Sequence, residues 1–121
     1  MKAILINATE RKVVAADVKP APNKSLDGFR ALIGCEWVQP VVVSESLTLW
    51  LDEEGRLKLP RPGFALCGIA TDFVGNGVLL GGDASRARMC YFPAEIVKLG
   101  VRWLSPDQMP PSGPPQLVFF P

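Results

Sequence analysis

The chain has 121 residues, 48% of them apolar and 21% charged, with 13 basic against 12 acidic side chains and no histidine. That length suits one domain, and the apolar fraction excludes disorder of the whole chain. The near-neutral charge excludes a protein built to grip duplex DNA, whose affinity comes largely from phosphate neutralisation. The cysteines Cys35, Cys67 and Cys90 lie far apart with no C-x-x-C spacing. Without histidine they cannot supply the four Cys or His ligands of a structural zinc site, so they are expected as reduced thiols used as small core residues. That usage suits a reducing compartment. The apolar run before Asn7 is too short for a signal-peptide core, and no run approaches the roughly 20 residues of a membrane span. The expected location is the cytosol, with no membrane partner.

In chain order, residues 2–7 read as a buried strand and Lys12–Val18 as its hairpin partner across a polar turn. Pro20 and Pro22 mark a loop. Ser25 is placed to cap a helix of about nine residues, with Leu26, Phe29, Leu32 and Ile33 on one face and Gly34 as its stop. Cys35–Val43 is a strand candidate in which Pro40 signals an edge or a bulge. Leu47, Leu49 and Leu51 alternate with Thr48 and Trp50, a period of two. The polar turn Asp52–Gly55 then predicts a second hairpin with Arg56–Leu59, ended by Pro60 and Pro62.

Phe64–Ile69 is apolar and stays open between strand and buried helix. Gly75-Asn76-Gly77 reads as a turn feeding the strand Val78–Leu80, Gly81–Ser85 as a loop, and Arg86–Phe92 as one more strand. Pro93 is suited to open a short helix closed by Gly100. Val101–Leu104 is a short strand or a helical end. The expected fold is α+β: a mostly antiparallel sheet of about five to seven strands with two short helices on one face. Residues 1–104 form the predicted domain. Residues 105–121 are a Pro-rich tail whose last apolar residues, Leu117, Val118, Phe119 and Phe120, are expected to dock on this chain or on another subunit.

Four segments in this order carry a resemblance: Lys2-Ala3-Ile4-Leu5-Ile6, Phe29–Gly34, Asp52–Leu57 and Val74–Gly81. Over roughly residues 1–104 they resemble a family of small proteins of phages, plasmids and actinobacterial genomes, catalogued as a domain of unknown function. The resemblance implies residence in a host cytosol, often on mobile DNA, and carries over no catalytic residues. It also implies a setting in which small proteins block host defences, by soaking up a signal nucleotide or by capping a host protein.

The glycines from Gly75 to Gly82 do not make a phosphate loop: no lysine follows Gly82, and the spacing leads into a strand, so turns and bulges explain them. Arg86 and Arg88 lie two apart and would share a strand face; with Arg61 they are candidates to grip a phosphate or carboxylate, against the reading of a solvated edge. Asn76 is a candidate for the ligand's polar edge. Asp52, Glu53 and Glu54 lack calcium-loop spacing and read as a hairpin turn. Of Trp37, Trp50 and Trp103, Trp50 faces away from Leu49 and Leu51 and is the candidate for an exposed ring that stacks on a ligand. No histidine serves as a general base, and no serine sits in a nucleophile elbow, so catalysis is not expected.

The sequence therefore points to a non-catalytic binding protein without metal or cofactor. Its expected partner is a small anionic ligand, such as a nucleotide signal of host defence. The rival reading is an interaction module that acts on a host protein through its sheet edge or tail, with homo-oligomers as a further possibility.

Overall fold

Short apolar strands separated by glycine and polar turns pair into two antiparallel sheets. The computed structural model describes residues 1–18, 27–44, 46–55, 61–69, 71–82 and 87–108. The first half runs β1 (Lys2–Asn7), β2 (Lys12–Asp17), α1 (Asp27–Ile33), β3 (Val38–Ser44) and β4 (Leu47–Asp52). The second half runs β5 (Gly63–Leu66), β6 (Asp72–Val74), β7 (Gly77–Gly82), β8 (Ala87–Arg88), α2 (Ala94–Leu99) and β9 (Val101–Leu104), with a 3₁₀ turn at Pro106–Gln108.

The larger sheet is six-stranded, in the order β2-β1-β7-β4-β3, with β8 also beside β7. The smaller is three-stranded, in the order β6-β5-β9. The expected α+β fold of antiparallel sheet and two short helices is present. Its strands outnumber the expected five to seven and divide between two sheets.

Alternation along the strands gives the large sheet two apolar faces. On one, Ile4, Ile6, Leu49, Leu51 and Leu79 pack with Phe64 and Phe73 of the small sheet, and Ala94 and Val97 of α2 join them. On the other, Ala3, Trp50, Val78 and Leu80 are covered by Phe29 and Ile33 of α1. The helices thus lie on opposite sides of the large sheet, not on one face as expected. The reason is that both faces are apolar and each needs a cover.

Local chemistry explains the boundaries. The β1–β2 turn is held by Glu10 N–H donating to Asn7 Oδ1 at 3.0 Å, and Arg11 takes a positive φ of 55° before β2. Helix α1 stops at Gly34, which has φ 79° and donates to the Arg30 carbonyl at 2.8 Å. Ser25 and Leu26 lie outside the described residues. Strand β3 begins at Val38, not Cys35, and carries both features that Pro40 signalled: it is an edge strand and is bulged between Val42 and Ser44.

Strand β4 corrects the second predicted hairpin. Its neighbours are β3 and β7, so both of its sides are taken over Leu47–Leu51. Residues 56–59 lie outside the described ones. Phe64–Ile69 resolves as strand over Gly63–Leu66 followed by a turn. Gly81 and Gly82 belong to β7, not to a loop, and among the described residues of the predicted strand Arg86–Phe92 only Ala87–Arg88 form strand. The cysteines split: Cys90 is buried, Cys35 half-buried and Cys67 exposed. No helix among the described residues is long and apolar enough to cross a membrane.

Candidate functional site

Of the residues expected to grip an anion, Arg61 and Arg88 are not brought together. Arg61 Nη1 donates to Asp52 Oδ2 at 3.2 Å, and the Asp52 side chain is only 1% exposed. The second Asp52 oxygen accepts the Glu54 N–H at 2.9 Å. Gly75, at φ 81°, lies against the same guanidinium, so Arg61 ties the β4 end to the β6–β7 turn. Asn76 is also structural here: its Oδ1 accepts the Ala8 N–H at 2.9 Å and joins the β1–β2 turn to the start of β7.

Arg88 sits opposite Gly81, near the far end of β7. At about 3.4 Å per residue, Gly77 and Gly81 are roughly 14 Å apart along the strand. Arg61 and Arg88 therefore serve different ends of the molecule. Arg86 lies outside the described residues, as do Leu117, Val118, Phe119 and Phe120.

Trp50 does face away from Leu49 and Leu51, but it is not exposed. It is 5% accessible and its ring stacks on Phe29 at 4.5 Å between centroids. Helix α1 occupies the ring face that a ligand would need. Of the three tryptophans, Trp37, just before β3, is the exposed one, at 55%, while its carbonyl accepts the Glu53 N–H at 2.8 Å.

A concave site does exist, at the end of the small sheet. A groove of about 380 Å³ runs between the β5–β6 turn and the α2–β9 turn. That volume falls within the usual range of small-molecule pockets. Two turns build its rim. Gly68 takes φ 82° so that the chain can reverse after Cys67, and Ile69 N–H closes on the Leu66 carbonyl at 3.0 Å. Gly100 ends α2 and accepts the Cys67 N–H at 2.8 Å, which clasps the two turns together. A Cβ at Gly100 would make an ordinary contact with Cys67 Cβ, at 3.6 Å.

Leu66, Ile69, Leu99 and Val101 give the groove apolar walls. Asp72 and Arg102 supply its charges. Register places them on one face with Ala65 between: Ala65 pairs with Asp72 on β6 and with Arg102 on β9. Arg102 is exposed and takes part in none of the ion pairs among the described residues. Cys67 holds an exposed thiol at the rim.

Sequence reading missed this group because its members come together through non-consecutive pairing. Only Arg102 left a trace. In a strand over Val101–Leu104, alternation sets it opposite the inward pair Val101 and Trp103.

Two antiparallel sheets, a covering helix on each side of the larger one, and a groove at the end of the smaller define a small α+β domain. The chain belongs to the DUF3846 family, a domain of unknown function, which matches residues 1–103. No curated protein and no solved structure matches it.

Proposed function

We propose that this protein is a non-catalytic binding protein for a small anionic ligand, held in the groove at the end of the small sheet. The observation that supports this is the exposed guanidinium of Arg102, in no ion pair among the described residues, beside apolar walls in a concave surface of about 380 Å³. Guanidinium offers a planar fork of donors to a carboxylate or phosphate, and the walls remove apolar surface of the ligand from water. The expected nucleotide finds less support than a smaller anion with an aliphatic body, since Trp50 is covered and cannot stack a base. An accessory role on a phage or mobile element, sequestering a host signal, rests on the resemblance alone.

The test is a titration of the ¹⁵N-labelled protein with 4-methylpentanoate. Shifts at Cys67, Leu99, Gly100 and Arg102 that weaken at least about tenfold in Arg102→Gln support the reading. Binding unchanged in that variant refutes it.

A second reading, an interaction surface, is favoured by α2. Ile96 and Leu99 lie three apart on the outward side of that helix and are 52% and 84% exposed. The expected sheet-edge route has less in its favour, because Pro40 and the bulge blunt β3 as a template. Sedimentation that depends on concentration in the wild type, but not in Ile96→Glu, would identify the surface as self-associating.

A further inference from the structure

We infer that the groove takes a short zwitterion of the amino-acid type, with its carboxylate on Arg102, its ammonium on Asp72 and its aliphatic body against Leu99 and Ile69. This rests on the reading of the groove as a small-anion site and names the ligand class.

The warrant is the cross-strand row Asp72–Ala65–Arg102. Adjacent strands lie about 4.8 Å apart, so the two charged residues start roughly 10 Å apart with one strand between them. Ala65, on that middle strand, is buried, carries only a methyl group and lines the groove between the two charged residues. No ion pair joins Asp72 to Arg102, although they share a face and line one groove. Opposite charges held apart over a small floor match a ligand carrying both charges a few bonds apart. A carboxylate accepts about four hydrogen bonds, so the interaction that Asp72 already makes leaves it room for an ammonium donor. A purely anionic ligand would leave the Asp72 carboxylate in the groove wall unused, whereas an ammonium on the ligand gives it a further donor.

The experiment removes one charge of the ligand at a time. L-leucine, 4-methylpentanoate and 3-methylbutylamine share an aliphatic body and carry both charges, the carboxylate alone and the ammonium alone. Each is titrated into the wild-type chain and followed by amide shifts at Cys67 and Leu99–Arg102. Leucine is expected to bind at least about tenfold tighter than either single-charge probe. In Asp72→Asn, with its amide spectrum otherwise intact, that advantage over 4-methylpentanoate disappears. If 4-methylpentanoate binds the wild type as tightly as leucine, the zwitterion inference fails and the anion reading stands. If none of the three shifts the groove amides, both fall together.

Discussion

At the scale of single residues, the Asp52–Arg61 pair shows how a charge can be structural without being a site. Asp52 is nearly fully buried, so its carboxylate is satisfied only by protein donors. Arg61 keeps 28% of its side chain exposed and can turn to water if its partner goes. Asp52→Ala is therefore expected to cost about 2 kcal/mol in urea unfolding, within the range for a charged hydrogen bond, while leaving ligand titrations of the groove unchanged. A loss of groove binding in that variant would mean the two regions are coupled.

The thiols give a second residue-scale prediction. Cys67 is exposed, Cys35 half-buried and Cys90 buried, so a thiol reagent should consume Cys67 first and Cys90 only on unfolding. Burial also pushes the Cys90 thiol up from its ordinary value of 9.0. As pH rises, the unfolded chain loses that proton before the folded one. The associated stability is whole below about pH 9 and is lost as pH climbs through the folded value. The stability gap between wild type and Cys90→Ala should therefore be larger at about pH 7 than at about pH 10; a gap that widens with pH contradicts this.

At the scale of elements, glycine decides how β7 can sit between β1 and β4. A Cβ on Gly77 would lie 2.9 Å from Leu49 Cδ1 and 3.0 Å from Phe64 Cζ. Gly77→Ala is expected to cost about 1–3 kcal/mol by overpacking, read as a lower urea midpoint at unchanged slope. Gly81→Ala is expected to be worse, because the added carbon would meet the Met89 carbonyl oxygen at 2.6 Å and backbone cannot step aside as a side chain can.

Strands β1, β2, β4 and β7 were legible, because they show short apolar runs or a period of two between turn residues. Gly34 and Gly100 were legible as helix stops for the same local reason. The cover of Trp50 was not legible. Alternation tells which face a side chain takes, but not that Phe29 of α1 will lie on it. The candidate site was hidden for a related reason. Asp72 and Arg102 meet through the pairing of β5 with both β6 and β9, and no local pattern announces that register.

At the scale of the whole molecule, the large sheet is the middle of three layers. Its apolar residues face α1 on one side and the small sheet with α2 on the other. Amides of Val78–Leu80 at the centre of that sheet should exchange slowest, and those of the short edge strands β6 and β8 fastest. Phe29→Ala should uncover Trp50, shift its fluorescence to the red and cost about 3–5 kcal/mol, a large part of the stability of a small domain. The groove lies at the end of the small sheet, at turns clasped by the Cys67–Gly100 hydrogen bond, and its walls Leu66, Ile69 and Val101 also pack against the core between the two sheets.

The most direct measurement is the titration of ¹⁵N-labelled wild-type chain and Arg102→Gln with 4-methylpentanoate. The account predicts saturable shifts clustered at Cys67 and Leu99–Arg102, with affinity at least about tenfold weaker in the variant. Shifts that fall elsewhere, or that are indifferent to the loss of the Arg102 charge, would contradict it.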